Sequence, residues 1–337
     1  MAISGKIVSL KDGQDLNIFP ETAASAVYLE NGKTLEESVI TYKEATESIV
    51  LNNPDMIEKI NNMDERLNDL KVINEINILQ YRKYVIDEDW SDAIEYLIRE
   101  HPNGLIRIPS VNFKFSRPII LSGNNSLFLD VNTEIIATKP MDIFIKSHGE
   151  LTNLTRVEKT PCLIYGYGKI NCNGYAKIGV SLGGYRGFVY QGLKMINFLE
   201  KGLISKGEGV EYAVELNVRD CYFEIENHLT SINATALDIN STDNHIENII
   251  IVDCAIGVNC SGYSNKIKLV HVWNRDRIQD KDIGYIGINI TGQDNLIDTC
   301  YGDTCNIAFK FIEGNTFINC DVFNSQYLEH RTVLDLI

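Results

Sequence analysis

Two hydrophobic periodicities divide the chain, one in its first third and the other beyond residue 105. From Leu35 to Asn77, apolar residues with a few Tyr, Thr and Asn follow a 4-3 spacing in one unbroken heptad phase. This spacing predicts an α-helical coiled coil over residues 33–80, with Pro54 at the start of a second helix. A helical hairpin is the alternative, but the phase continues across Pro54 and favours the coiled coil. The seam residues permit a dimer or a trimer.

The periodicity changes after the heptads. Residues 81–104 are interpreted as a linker and a capping helix, because residues 89–98 have the spacing of an amphipathic helix and His101-Pro102-Asn103-Gly104 ends it. From residue 105 to residue 325, short apolar bursts alternate with polar residues and are separated by Gly, Asn and Ser, which predicts short strands. Residues 326–337 form a predicted C-terminal tail.

Two tetrapeptide patterns alternate along this strand region. The first is an apolar residue, any residue, then Asp, Asn or Thr, then Cys (once Phe), and it occurs at Met195-Ile196-Asn197-Phe198, Val218-Arg219-Asp220-Cys221, Ile251-Val252-Asp253-Cys254, Ile297-Asp298-Thr299-Cys300 and Phe317-Ile318-Asn319-Cys320. The second begins with Gly or Ala and then an apolar residue, and it occurs at Gly179-Val180-Ser181-Leu182, Gly202-Leu203-Ile204-Ser205, Ala236-Leu237-Asp238-Ile239, Gly257-Val258-Asn259-Cys260, Gly287-Ile288-Asn289-Ile290 and Ala308-Phe309-Lys310-Phe311. Each pattern has the length of one short strand.

This repetition predicts a solenoid. A unit of roughly 20 to 35 residues cannot bury its apolar face alone and must stack on the next copy. Small Cys and Gly residues suit a narrow coil interior, and Asn244, Asn265, Asn295 and Asn315 suit turns with stacked side-chain amides. The fold class is therefore predicted as mainly β, a right-handed parallel β-helix preceded by an N-terminal α-helical coiled coil. A β-sandwich is the alternative, but sandwiches do not repeat the same tetrapeptides in order.

Charge and cysteine content narrow the function. The 337 residues include 31 basic and 46 acidic side chains, and the formal charge of −15 argues against nucleic-acid or anionic-membrane partners. Apolar runs are far shorter than the roughly 20 residues of a membrane helix, and the first six residues do not open a signal peptide, so synthesis in the cytoplasm is expected. The eight cysteines lack zinc-site spacing and are expected to be buried free thiols, without a metal or cofactor.

A family resemblance follows from these elements. The amphipathic helix before Gly104-Leu105-Ile106-Arg107-Ile108-Pro109, the short strands, and the recurring Asn-x-Ile and Asp-Cys steps resemble the pectate-lyase-like β-helix of bacteriophage tail spikes and fibres, over roughly residues 85 to 325. The segment with Phe19-Pro20-Glu21-Thr22 is similar to the virion-attachment ends of fibres from phages of low-GC Gram-positive hosts. The resemblance implies a homotrimer of the virion tail, assembled in the host cytoplasm, whose residues 1–32 bind other tail or baseplate proteins.

Ligand contacts are expected in the long connections between the two patterns, because loops on a rigid scaffold carry most binding residues. Trp273 would stack on a sugar ring while neighbouring charged side chains bind its hydroxyls. Packing of Trp273 inside the coil is the alternative, and its place in the strand pattern favours that interior position. The candidate glycan-binding residues are Trp273, Arg275, Asp276, Arg277, Glu224, Glu226 and His228.

Catalysis is not assigned to any residue. Hydrolysis of a glycan needs two carboxyls roughly 5 to 9.5 Å apart. Glu224 and Glu226 alternate on one strand face, and Asp220, Asp253 and Asp298 could form an outward column. An acidic ladder of this kind is structural in most solenoids, and His271, the one centrally placed histidine, is interpreted as a strand surface residue.

Three functions remain open on the sequence. The first is a trimeric virion spike or fibre that binds a host cell-wall or capsular polysaccharide. The second is a depolymerase, a glycoside hydrolase or lyase, on the same scaffold. The third is a connector fibre protein that receives another virion protein. The sequence favours the first.

Overall fold

A computed structural model describes residues 8–9, 15–16, 75–102, 104–121, 125–148, 162–183, 186–205, 214–226, 233–275 and 285–323. The chain divides into two compact units, residues 1–72 and residues 73–337. In the first unit, β1 (Val8–Ser9) pairs antiparallel with β2 (Asp15–Leu16). The segment predicted as the attachment arm therefore contains paired backbone at residues 8–9 and 15–16. The coiled coil predicted for residues 33–80 lies outside the described residues as far as residue 74.

The second unit begins earlier than predicted. Glu75–Asn77, the end of the predicted heptads, is a strand, β3, in parallel register with β4 (Leu105–Ile108). The helical prediction is therefore wrong for these three residues. A 3₁₀-helix, Ile78–Tyr84, follows, and the Asn77 side chain caps it by accepting from the Leu79 amide at 2.9 Å.

The capping helix is confirmed as α1 (Ser91–Glu100). Its apolar positions recur at helical spacing, and Ala93, Ile94 and Leu97 are buried together with Ile106 of β4. The carboxylate of Asp89 accepts from the Ser91 amide at 3.0 Å and satisfies one free N–H of the first turn. The helix therefore packs its apolar face against the interior of the first coils.

The rest of the unit is a stack of coils, and the strands of each coil pair in parallel with those of the next. Among the described residues, the first two strands of every coil belong to one 16-stranded sheet with two arms, and the third belongs to a smaller eight-stranded sheet. This is a parallel β-helix, as predicted.

Arm A contains the first strand of each coil: β3, β4, β7 (Ser126–Leu129), β10 (Leu163–Gly166), β13 (Val189–Gln191), β22 (Leu296–Asp298) and β25 (Thr316–Ile318). Arm B contains the second: β5 (Asn112–Phe115), β8 (Glu134–Ala137), β11 (Lys169–Asn171), β14 (Lys194–Ile196), β23 (Tyr301–Asp303) and β26 (Asp321–Phe323). Three longer strands bend through both arms: β16 (Asn217–Glu224), β18 (His245–Val252) and β20 (Lys266–Trp273). The smaller sheet contains β6 (Ile119–Leu121), β9 (Met141–His148), β12 (Ala176–Gly183), β15 (Lys201–Ser205), β17 (Thr235–Ile239), β19 (Ile256–Cys260), β21 (Ile286–Ile290) and β24 (Ile307–Phe311).

The second tetrapeptide pattern forms one column in the smaller sheet, as predicted. Its apolar second residues pair in register from Val180 through Leu203, Leu237, Val258 and Ile288 to Phe309. The glycines of this column lie where backbones approach closely. A Cβ on Gly257 would lie 2.4 Å from the Gly287 carbonyl oxygen, so the coil admits no larger side chain there without movement.

The first pattern occupies two different corners of the coil and does not form one column of cysteines. Cys221, Cys300 and Cys320 follow the corner between arms A and B, whereas Cys254 and Cys305 follow the corner between arm B and the smaller sheet. Both corners contain a non-glycine residue with left-handed backbone, and φ lies between 51° and 58° at Asn197, Asp220, Asp253, Thr299 and Asn319.

The two corners share one sequence pattern because they share one local geometry. In each case the cysteine Sγ lies 3.0 to 3.5 Å from the carbonyl oxygen two residues before it, across the left-handed residue. All eight cysteines are free thiols, and seven of them are buried.

A ladder of buried asparagines runs along the third corner, which returns the chain to arm A. Each amide donates to the next: Asn244 Nδ2 to Asn265 Oδ1 at 2.6 Å, then Asn265 to Asn295 and Asn295 to Asn315, both at 3.0 Å. The residue before each asparagine has positive φ. The predicted turns with stacked amides are confirmed.

Tyr190 is buried in the coil interior, and its hydroxyl has no hydrogen-bond partner among the described residues. Burial raises the pKa of this phenol well above its ordinary value, so the group stays neutral. Because an unpaired buried hydroxyl destabilises the folded state, Tyr190→Phe is expected to raise the free energy of unfolding by about 1 kcal/mol in urea denaturation. Tyr263→Phe, at a 53% exposed position, is the control and should change nothing. A less stable Tyr190→Phe protein would instead indicate a buried water bound to the hydroxyl.

Candidate functional site

The outward side of arm B carries the candidate site. In β16, β18 and β20, Phe223, Ile251 and Val272 point inward and are fully buried. The residues on either side of each point outward, because side chains alternate along a strand. Two outward rows result, and each runs along the stack of coils. The first row contains Lys194, Tyr222, Ile250, His271 and Tyr301, and the second contains Glu224, Val252, Trp273 and Asp303.

The first row is largely apolar and aromatic. The rings of His271 and Tyr301 stack with centroids 4.2 Å apart and an interplanar angle of 27°. Ile250, one coil before His271, is 42% exposed. Lys194 lies over the Tyr222 ring, with Nζ 4.9 Å from the centroid. His271 is therefore a strand surface residue, as predicted, and it is part of an aromatic strip.

Trp273 lies in the second row and is 36% exposed, so the interior position that the sequence favoured is wrong. The inward position beside it belongs to Val272, which is fully buried. The indole is therefore available on the outward face, in register with Val252 on one side and Asp303 on the other.

Arg275 follows Trp273 and links two buried carboxylates. Its Nε lies 2.5 Å from Asp253 Oδ2, its Nη2 binds Glu224 Oε1, and its backbone N–H donates to Asp253 Oδ1 at 2.7 Å. The side chain of Asp253 is 1% exposed and that of Glu224 is 8% exposed. The guanidinium therefore neutralises two carboxylates that water cannot reach freely.

Lys194 completes this cluster from the preceding coil. Its Nζ lies 2.8 Å from Glu224 Oε2 and 3.4 Å from Glu226 Oε1. The Glu226 amide donates to Asn197 Oδ1 at 2.9 Å, which fixes the chain just beyond β16. Glu224 and Glu226 therefore both form ion pairs with Lys194, although Glu226 lies outside the strand.

The charge state of the site follows from these contacts. Burial raises the pKa of Glu224, but the ion pairs with Lys194 and Arg275 outweigh it and hold that pKa below its ordinary value. Burial lowers the pKa of His271, and the nearby Asp303 carboxylate opposes this only in part. At neutral pH the site therefore holds an ionised Glu224 beside a neutral imidazole.

The structure brings together part of the predicted set. Trp273, Arg275, Glu224 and Glu226 lie in or beside the outward rows, whereas Asp276, Arg277 and His228 lie outside the described residues. The predicted column of Asp220, Asp253 and Asp298 is wrong. Asp220 and Asp253 occupy different corners, and Asp298 is in arm A, in register with Lys268.

Sequence reasoning missed several members of the site. Tyr222 and His271 each lie two residues before a predicted residue, so strand alternation around Glu224 and Trp273 would have indicated them. Tyr301 and Asp303 were not indicated, because the strand that contains them is identified by its register with β20.

The described part of the chain contains neither a metal site nor a membrane-spanning helix. Within those ranges no three or more His, Cys, Asp or Glu side chains are grouped so as to hold a metal ion. No helix there has the length and apolarity needed to cross a membrane.

Sequence comparison finds no matching protein-family model and no matching curated protein. Among solved structures, the chain is similar to the tailspike protein of Escherichia coli bacteriophage HK620 in complex with a pentasaccharide, with a TM-score of 0.52 and 13% identity. That match covers 75% of this chain and 50% of the tailspike, so the chain spans about half the tailspike's length. ORF18 of Geobacillus virus E2 matches with a TM-score of 0.40 and 16% identity, over 81% of this chain and 65% of that one. The resemblance to tail spikes is thus confirmed in the fold, and this chain has the parallel β-helix that a bacteriophage tailspike also has.

Proposed function

We propose that the chain is a virion structural protein, a homotrimeric tail spike or fibre that binds a host cell-surface polysaccharide through the outward side of arm B. One observation carries the proposal: an exposed Trp273 lies beside the stacked rings of His271 and Tyr301 and next to the fixed ion pairs of Arg275. Aromatic faces that stack on apolar surfaces, next to oriented polar groups, are the usual composition of a ligand site.

The proposed assembly uses the rest of the chain. Residues 1–32 attach the protein to other tail or baseplate proteins, and the heptads after residue 33 join three copies. The coil is right-handed, the hand that parallel strand crossovers favour. The pentasaccharide in the similar tailspike supports a glycan ligand for a surface of this fold. The protein belongs to the virion tail and is assembled in the host cytoplasm.

Binding is favoured over cleavage by the state of the two buried carboxylates. A glycoside hydrolase needs one carboxyl that keeps its proton at working pH. Glu224 is ionised by its contacts with Lys194 and Arg275, so it does not serve as that acid. Asp253 accepts from both the side chain and the backbone of Arg275, and its side chain is 1% exposed, so a substrate does not reach it as it would a general base.

Trp273→Ala is expected to weaken polysaccharide binding about five- to thirtyfold, because truncating an exposed aromatic anchor removes roughly 1 to 2 kcal/mol of binding free energy. The measurement is a pull-down and titration of the full chain with purified bacterial cell-wall and capsular polysaccharides. Tyr167→Ala, which removes an aromatic that is 74% exposed between arms A and B of an earlier coil, is the matched control.

The control should retain full binding, and a thermal melt of each variant separates loss of binding from loss of fold. Equal binding by wild type and Trp273→Ala would refute this site. New reducing ends in the bound polysaccharide would assign a depolymerase instead.

A further inference from the structure

We infer that the outward side of arm B takes a neutral or ammonium-bearing sugar chain and excludes sugars that carry carboxylate or phosphate. The inference rests on the proposed function and narrows its ligand class. Three observations carry it: the charge balance of the two outward rows, the partly desolvated Asp303 carboxylate that has no ion-pair partner among the described residues, and the uncharged aromatic strip beside it.

The charge balance of the site is negative. Between β14 and β26, the described charged groups in and beside the outward rows are five carboxylates and two cations: Glu224, Glu226, Asp253, Asp303 and Asp321 against Lys194 and Arg275. Both cations already form ion pairs: Lys194 pairs with Glu224 and Glu226, and Arg275 pairs with Glu224 and Asp253. An incoming anion therefore meets excess negative charge and no unpaired cation among these residues.

Asp303 supplies a carboxylate whose negative charge has no ion-pair partner among the described residues. The residue is half-buried, its Oδ1 is buried without a hydrogen-bond partner among the described residues, and the Tyr301 hydroxyl is 3.4 Å from its Oδ2. A partly desolvated carboxylate gains most from a donor, and sugar hydroxyls and ammonium groups are donors. A carboxylate or phosphate on the ligand would instead place two anions side by side.

The aromatic strip adds no positive charge. His271 is neutral at neutral pH because burial lowers its pKa, and its Nε2 has no partner in the described part of the chain. Together with Tyr301 and Trp273 it presents uncharged ring surface next to Asp303. Such a surface suits the C–H face of a pyranose, so apolar contact comes from the rings and polar contact from the acceptor.

The test is an array of purified bacterial polysaccharides in three groups: neutral, bearing free ammonium, and bearing uronate or phosphate. Full-length protein at low salt should bind members of the first two groups and give its weakest signals on the third. Preference for an acidic glycan would overturn the inference while leaving the proposed function in place. Absence of binding to all three groups would overturn the proposed function itself.

Asp303→Asn tests the role of the carboxylate. The variant keeps the shape of the side chain but removes its charge, so affinity for the bound neutral or amino glycans should fall about tenfold. The difference in affinity between these glycans and acidic glycans should become smaller. Asp142→Asn, at a position whose side chain is 83% exposed in the smaller sheet, is the matched control and should bind as wild type does. Asp303→Ser, with a thermal melt of each protein, separates loss of binding from loss of fold. Unchanged affinity and unchanged discrimination in both Asp303 variants would overturn the assignment.

Discussion

Arg275→Met is expected to lower the free energy of unfolding by about 2 to 4 kcal/mol, because it leaves two carboxylates buried without their shared cation. Asp253 loses its ion pair with Arg275, and Glu224 keeps its ion pair with Lys194. The expected loss is smaller than for a fully buried ion pair, since the Arg275 side chain is 39% exposed and water screens part of its charge. Urea denaturation at pH 7 measures the loss.

The pH dependence of this loss has a definite sign. The folded-state pKa of Glu224 lies below its ordinary value of 4.5, so its ion pairs contribute stability above that pH, and the contribution disappears as the pH falls through the folded-state pKa. Arg275→Met removes part of this contribution. The difference in the free energy of unfolding between wild type and variant should therefore be largest at pH 7 and should decrease below about pH 4.5.

Arg99→Met is the control for the Arg275 variant. Its guanidinium is 3.8 Å from Glu100, and both side chains are largely exposed, so a change of less than about 0.5 kcal/mol is expected. Equal effects of the two arginine substitutions would show that the Arg275 cluster is only a surface ion pair. A difference that does not change with pH would contradict the role of Glu224.

Asn265→Ala is expected to lower the free energy of unfolding by about 3 to 5 kcal/mol. The Asn265 side chain accepts from the backbone and side-chain N–H groups of Asn244 at 2.9 and 2.6 Å, and it donates to Asn295 Oδ1 at 3.0 Å. All three asparagines are buried, so the substitution leaves several polar groups unpaired. Each unpaired group lowers the free energy of unfolding by roughly 1 to 3 kcal/mol. Thermal and urea denaturation measure the effect.

Asn112→Ala removes an exposed asparagine from β5 and serves as the comparison, with an expected change within about 0.5 kcal/mol. Because stability in a solenoid is a sum over neighbouring coils, the Asn265 substitution should also broaden or split the unfolding transition at the coils it joins. A loss below about 1 kcal/mol would mean that water replaces the amide.

The repeated strands could be predicted because their cause is local. In the smaller sheet only small residues fit at this column, as where Gly257 approaches the Gly287 backbone. The sequence therefore repeats Gly or Ala followed by an apolar residue. The asparagine ladder could be predicted likewise, since an amide at each turn must bond to its copies.

The two corners with cysteine could not be separated in the same way. Each requires a residue that tolerates left-handed backbone followed by a small inward side chain, and Asp-Cys satisfies both. A sequence pattern reports local geometry, and the same local geometry occurs at two corners, as at Thr299 and Thr304 of one coil. Register between strands decides which corner a given Asp-Cys occupies, and register depends on the neighbouring coils.

The outward orientation of Trp273 could not be predicted from strand alternation. Ile267 points inward, and strict alternation would place residues 269, 271 and 273 inward as well. Leu269, however, has φ of 52° and lies at the corner between arms A and B, so the alternation restarts and Val270 and Val272 point inward instead. A leucine with this backbone is rare, so nothing in the sequence marked the corner that turns Trp273 outward.

The burial of the interior cysteines affects how readily their thiols are oxidised by air. Burial raises the pKa of Cys162 and of Cys221 to about 12, so almost no thiolate forms at either sulfur. Oxidation and disulfide exchange need the thiolate, and solvent must also reach it. Cys162 and Cys221 are therefore expected to stay reduced thiols in an oxygenated environment and to form no disulfides.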